Sequence, residues 1–166
     1  MSEALTVRVK NLSRLMSAAI AVIVFVGDQV TKAMVERSIP EHEVIPIIPH
    51  FFNLTHVKNA GAAFGMFSDA PSAGKTAVLI LISATLLATV IVFAWRNHRL
   101  HWESVVGLAF ILGGALSNLV DRIRLGRVID FLDFYYHGYH WYTFNLADSA
   151  IVVGAGFLIL QVVFSD

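Results

Sequence analysis

The stretch that decides the fold is Asp121-Arg-Ile-Arg-Leu-Gly-Arg-Val-Ile-Asp130, which follows sixteen apolar or small residues, Val105 to Val120, with Ser117 and Asn118 the only polar ones. A bilayer-spanning helix needs about 20 predominantly apolar residues, and this run supplies most of one. It ends abruptly in charge, with Asp121, Arg122, Arg124, Arg127, Asp130 and Asp133. After an aromatic-rich loop the chain enters another apolar run, Asn145 to Phe164, with Asp148 four positions into it. A carboxylate inside or at the lip of a bilayer is costly, so the default reading is a functional one with a partner to be named. For Asp148 the natural partner is Asp130.

Composition agrees with a bilayer setting. Of the 166 residues, 57% are hydrophobic and 14% charged, with a mean hydropathy of +0.69; a soluble domain carries roughly a quarter charged residues. Twelve basic and twelve acidic residues leave no formal net charge, so no basic field exists to hold a nucleic acid. The chain has no cysteine, which removes disulfides, zinc thiolate sites and a thiol nucleophile. The expected architecture is an all-α membrane protein, with four transmembrane helices and a small β-containing extracytoplasmic loop region. One integral-membrane domain over residues 1–166 accounts for the length.

The spans are expected at about 15–35, 76–95, 103–120 and 145–164. Arg8, Lys10 and Arg14 precede the first, which is too long for the apolar region of a cleaved signal peptide. Its last third carries Asp28, Gln29, Thr31 and Lys32. Asp28 and Lys32 are one turn apart and can pair, either as an interfacial ion pair ending the span or as support for a site. Arg37 to Gly74 is a long polar connection with Pro40, Pro46 and Pro49 in its first part. Within it Phe52 to Lys58 alternates as a short strand; an extended substrate could join its edge, but the pattern favours an ordinary hairpin cap. The small residues of Asn59 to Gly65 allow close backbone approach. Gly113 with Ser117, and Ala150 with Gly154, are pairs of small residues suited to close helix packing in lipid.

Alternating four helices across a bilayer brings Asp28, Lys32, Asn118, Asp121, Arg122, Asn145 and Asp148 to one membrane face, together with both long loops. Arg8, Lys10, Arg14, Arg96 and Arg99 assign the opposite face to the cytoplasm. Arg122, Arg124 and Arg127 argue the other way, and the first helix decides. Both termini are then cytoplasmic. The loop aromatics Phe131, Phe134, Tyr135, Tyr136, Tyr139, Trp141, Tyr142 and Phe144 read as an interfacial belt.

Two aspartates sharing a low-dielectric site cannot easily both ionise, so one holds a proton while the other stays charged. The pair offers a general base for water and a general acid for the carbonyl or leaving amine; no cofactor or metal is called for. Blander readings exist: Asp148 with Asn145 resembles a helix cap, and Asp130 could pair with Arg122, Arg124 or Arg127. Asp133 is the residue most easily confused with Asp130. Asn118, Asp121 and Arg122 share a helix face as support. His42, His50, His56, His137 and His140 lie on the same side, but no HExxH motif accompanies them. A proton-coupled small membrane transporter and a non-catalytic assembly factor are the competing functions.

Five segments carry a resemblance: Asp28 to Lys32, Val57 to Gly65, Gly113 to Arg122, Gly126 to Phe131 and Phe144 to Asp148. In order and spacing they resemble the motifs of the lipoprotein signal peptidases (signal peptidase II), a bacterial family of four-helix aspartic peptidases. The resemblance implies an enzyme of the bacterial inner membrane, with its active site at the extracytoplasmic face. Such an enzyme removes the signal peptide of a diacylglyceryl-modified prolipoprotein just before the lipidated cysteine. It implies Asp130 and Asp148 as the catalytic pair and Asn59, Gly61, Asn118, Arg122 and Asn145 around the site, with Asp28 and Lys32 in support. The expected partners are the lipid-modified substrate and membrane lipid, and the expected state is a monomer. Ser117 departs from the glycine common in the family, which bears on local packing.

Overall fold

The computed structural model describes the backbone of residues 2–61, 73–97 and 100–164, and side chains from Arg14 onward. Ala62 to Gly65 of the small-residue segment, Arg99, and the side chains of Arg8 and Lys10 lie outside the described residues. In chain order the elements are α1 (Ser2–Ser38), β1 (Val44–Ile48), β2 (Phe52–Asn59), α2 (Ala73–Arg96), α3 (Trp102–Leu125), β3 (Val128–Tyr136), β4 (Tyr139–His140) and α4 (Leu146–Phe164). Four of them hold segments long and apolar enough to cross a membrane, Arg14–Ser38, Ala73–Arg96, Trp102–Leu125 and Leu146–Phe164. The third expected span was too short: its helix continues five residues beyond Val120 and carries Asp121 and Arg122 with it.

The helices are organised around α3, which packs against α4, α1 and α2. Between helices in lipid there is little hydrophobic drive, so close van der Waals approach at small residues sets the contacts. A Cβ added to Gly107 would lie 2.7 Å from the Gly154 carbonyl oxygen, and one added to Gly113 would lie 2.5 Å from that of Ala21. At Gly114 it would collide with the carbonyl of Ala147, in the first turn of α4. Ala150 and Gly154 are buried, and Gly154 meets Gly107 and Ile111 on α3. By contrast α2 buries only Leu79 among its described residues.

A four-stranded antiparallel sheet of order β1-β2-β3-β4 caps one end. The expected strand from Phe52 is present, but it is not an edge. It pairs with β1 over Phe52–Thr55 and with β3 from Phe52 to Asn59, with an irregularity between Leu54 and Val57. Over its first half both sides are taken, and no substrate strand can join there.

The larger correction concerns Val128 to Tyr136, read above as loop and found as strand. Its β-branched and aromatic residues are those that suit a pleated, half-buried surface. The expected aromatic belt therefore divides. Phe131 is buried in a core with Val35, Ile39 and Ile129, tying the end of α1 to the sheet. Phe134 stacks on Phe52 at 4.7 Å and on Phe144 at 5.7 Å between ring centroids. Tyr136, Tyr139, Trp141 and Tyr142 stay exposed. The strand starts where it does because Gly126, at φ +68°, ends α3 in the left-handed conformation, which glycine adopts without a Cβ penalty. Asp130 follows four residues later.

Gly114 should therefore be intolerant of even one carbon. Gly114→Ala is expected to destabilise the protein in detergent by about 1–3 kcal/mol, as overpacking does, whereas Gly156→Ala, with nothing within 4 Å of its Cβ, should leave the melting temperature nearly unchanged.

Candidate active site

Asp130 sits on β3 opposite Val57, where the strand passes the first turn of α4. Its carboxylate is 1% exposed and takes two side-chain amide donors, Asn145 Nδ2 to Oδ1 at 2.7 Å and Asn59 Nδ2 to Oδ2 at 2.9 Å. Burial is the main cause that pushes this carboxyl up to about 7, and the neighbouring Asp148 charge adds to it. The two amides oppose the shift without cancelling it. Asp130 thus takes amides where the blander reading offered it arginines.

Asp148 lies in the first turn of α4. Its Oδ1 accepts from Asn118 Nδ2 at 2.8 Å, and its Oδ2 accepts from the Asn145 backbone N–H at 3.3 Å. The Asp148 N–H donates back to Asn145 Oδ1 at 2.9 Å. This is the reciprocal capping arrangement, so the helix-cap reading is correct as far as it goes. The same capping residue, Asn145, also donates to Asp130, so one fully buried side chain holds both aspartates.

Asp133, three residues on and so on the other face of the strand, belongs elsewhere. It accepts from Asn53 Nδ2 at 2.8 Å and pairs with His140 Nδ1 at 2.8 Å. His56 is buried with its Nδ1 on the Ile39 carbonyl oxygen, and His42 is exposed. Among the described residues no three metal-ligating side chains converge.

Beneath the pair lies a dry ionic cluster. Lys32, 2% exposed, contacts Asp28 Oδ2 at 2.6 Å and Asp121 Oδ2 at 2.7 Å, and donates to Asn118 Oδ1 at 2.9 Å. Asp28 is more than the end of a span: its Oδ1 accepts the Ala147 N–H at 2.8 Å, so a side chain of α1 caps α4. Two contributors escaped the sequence reading. Ser117 Oγ donates to Asp28 Oδ2 at 2.7 Å, and Gln29 Nε2 donates to Ser117 Oγ at 2.9 Å and to Asp121 Oδ1 at 2.7 Å. The i, i+3 spacing of Gln29 and Lys32 was the available signal. Ser117 is therefore small enough for the packing and polar enough to join the cluster.

Among the described residues Arg122 makes long contacts, Nη1 to the Asn118 carbonyl and Nη2 to the Gly61 carbonyl, each at 3.4 Å. Its charge acts on Asp148, Asp130 and Asp121. Gly61 donates its N–H to Asn59 Oδ1 at 2.8 Å. Every residue expected at the site therefore stands in one connected network.

Comparison with known proteins identifies the family. The family model described as Signal peptidase (SPase) II matches residues 20–164. The lipoprotein signal peptidase of Solibacter usitatus (strain Ellin6076) is 41% identical over 142 residues, covering 86% of this chain and 87% of the relative. That of Syntrophotalea carbinolica (strain DSM 2380 / NBRC 103641 / GraBd1) is 42% identical over 144 residues, covering 85% and 86%. A solved bacterial membrane enzyme, determined by the in meso method at 2.3 Å resolution, superposes with a TM-score of 0.78 at 33% identity, covering 89% of this chain and 87% of that one. The chain belongs to the signal peptidase II family.

Proposed function

We propose that this peptidase removes the signal peptide of diacylglyceryl-modified prolipoproteins, cutting before the lipidated cysteine with Asp130 and Asp148 as an aspartic catalytic pair. The observation that carries the mechanism is Asn145, whose amide bonds Asp130 while its backbone and side chain bond Asp148. With one proton between them, the ionised carboxylate takes a proton from a water as its oxygen attacks the scissile carbonyl. The protonated carboxyl gives its proton to the carbonyl oxygen, forming a gem-diol; as the C–N bond breaks, the proton taken from water passes to the leaving amine and one gem-diol hydroxyl returns a proton to the pair. Arg122, whose charge acts on both aspartates, stabilises the negative charge that develops on the carbonyl oxygen. The transporter reading has no support: the family is one of peptidases, and the buried ionic cluster lies at one end of the helices, beside the sheet.

The lipid anchor fits this placement. Acyl chains can stay in the bilayer while the peptide bond next to the modified cysteine reaches a site where helix ends meet the sheet. The reading further places both termini in the cytoplasm, the sheet outside, and exposed Tyr136, Tyr139, Trp141 and Tyr142 at headgroup level. On this reading the protein acts as a monomer.

Incubation of the purified protein with a lipid-modified prolipoprotein, followed by mass spectrometry of the products, tests the activity. Cleavage should fall immediately before the modified cysteine. Asp130→Asn and Asp148→Asn should each lower turnover at least about a hundredfold while remaining folded; full turnover by either variant rules the pair out.

The pH dependence has a definite sign. Asp130 keeps its proton up to about pH 7 in the folded chain, against an ordinary value of 3.8. Above that pH Asp130 gives up its proton, the pair loses the proton its general acid needs and kcat/KM should fall, with an apparent pKa that belongs to the pair. Folding stability should also decline as pH rises from about 4 to about 7, because over that window the folded chain binds a proton that the unfolded chain has released. A rate that stays flat to pH 9 contradicts this.

Because the chain has no cysteine, single cysteines report topology directly. Tyr139→Cys should react with a membrane-impermeant maleimide in spheroplasts, and Arg96→Cys only after permeabilisation. The reverse pattern would invert the topology.

A further inference from the structure

The three asparagines around the two aspartates share a pattern that their roles as hydrogen-bond donors do not by themselves explain. An amide can present either its NH2 or its oxygen, so its direction must be fixed by whatever bonds its other end. At Asn59 the oxygen is held by the Gly61 N–H, and at Asn145 by the Asp148 N–H. At Asn118 it is held by the Lys32 ammonium at 2.9 Å, with Asn145 Nδ2 a second donor at 3.3 Å. In all three the NH2 end is left facing a carboxylate: Asp130 Oδ2, Asp130 Oδ1 and Asp148 Oδ1 respectively.

We propose that Lys32 is a positioning residue that acts on Asp148 through Asn118, fixing which end of that amide the aspartate meets. An ammonium has three donors and no acceptor. Turning Asn118 over would set its NH2 against Lys32 and against the NH2 of Asn145, and its oxygen against the Asp148 carboxylate. Each of those contacts is repulsive, so only one orientation survives. The consequence for chemistry is that Asn118 can give a hydrogen bond to Asp148 but cannot receive one. The proton shared by the aspartates therefore finds no acceptor among the three amides, and it remains available to the other carboxylate or to water. At Asn59 and Asn145 the fixing group is a backbone N–H, which substitution of that residue's side chain does not remove. At Asn118 it is a side chain on another helix, and so within reach of mutation.

The cluster explains why Lys32 can do this while dry. Asp28 and Asp121 bind it at 2.6 and 2.7 Å, and those carboxylates are themselves held by Ser117, Gln29 and the Ala147 N–H. The ammonium is thus immobilised from below and has its remaining donor directed at Asn118. Two carboxylates around one buried cation also mean that deleting Lys32 alone leaves charge uncompensated, which destabilises strongly. A useful variant must remove one charge of each sign.

This inference rests on Asp130 and Asp148 being the catalytic pair, and the experiment separates the two claims. Turnover of a lipid-modified prolipoprotein is measured for the wild type, for Lys32→Gln/Asp121→Asn, for Asn118→Ala, and for the triple variant, with Asp148→Asn in the same assay. Thermal melting in detergent confirms which proteins are folded. The charge-neutral double variant should lose between about ten- and a hundredfold in kcat, with KM changed less than about threefold. The same pair of substitutions in the Asn118→Ala background should cost less than about threefold further, because their route to Asp148 is already gone. Equal losses in both backgrounds, or a double variant with the kcat of the wild type, overturn the role of Lys32 while a dead Asp148→Asn leaves the catalytic pair standing. An active Asp148→Asn overturns the pair itself. Should the double variant fail to fold, Lys32→Arg takes its place. It keeps the charge but not the single-point geometry at Asn118, and it is held to the same two criteria.

Discussion

One ammonium, buried between two carboxylates, holds this structure's working end together. Lys32 joins α1 to α3 through Asp121 and Asn118, and Asp28 joins α1 to α4 through the Ala147 N–H. A buried ion pair is poor evidence for stability, since desolvation can outweigh attraction. Its better-attested use is to fix register, and here the helices it registers carry the two site aspartates' supports. Each carboxylate oxygen of Asp28 and Asp121 has a partner: Asp121 Oδ2, for instance, is reached by the ammonium at 2.7 Å. Full satisfaction is what lets a polar network sit among apolar helices without loosening them.

Rigidity in this region comes from two different sources. Along the helices it comes from absent side chains: Gly107 against Gly154, and Gly114 against the Ala147 carbonyl, bring backbones nearly into contact. At the helix ends it comes from hydrogen bonds of fixed direction. Asp130 adds a third kind, because its place on a strand fastened to β2 through the Val57 and Asn59 pairings leaves the backbone little freedom. A site that must hold two carboxylates near one another, against their mutual repulsion, needs all of these. Burial, with the Asp148 charge adding to it, pushes the Asp130 carboxyl up to about 7.

Much of this was legible in the chain. Four apolar runs and the charges that end them locate the helices, and Asp121, Asp130 and Asp148 stand out because carboxylates beside bilayer-length segments need a reason. Other features were hidden for identifiable causes. In Val128 to Tyr136 the strand signal of β-branched and aromatic residues competes with two aspartates, which drew the reading towards a loop; pairing to β2, a partner some seventy residues away in the chain, is what decides it. Phe131 looks like a belt aromatic because its burial depends on Val35 and Ile39 from α1. Ser117 looks like a spacer because its hydroxyl only acquires meaning next to Asp28 and Gln29, from another helix. Amide direction at Asn118 has no sequence signature, since it is set by what lies behind the residue in space.

The central claim is that Asp130 and Asp148 act together on one oxygen. It is tested most directly by a crystal structure with a lipopeptide whose scissile bond is replaced by a hydroxyl-bearing, tetrahedral carbon, the oxygen standing in for the attacking water. The hydroxyl is expected within about 2.6–3.2 Å of a carboxylate oxygen of both aspartates, with Asn118 still donating to Asp148. A hydroxyl bound to one aspartate alone, or seated away from both, contradicts the claim.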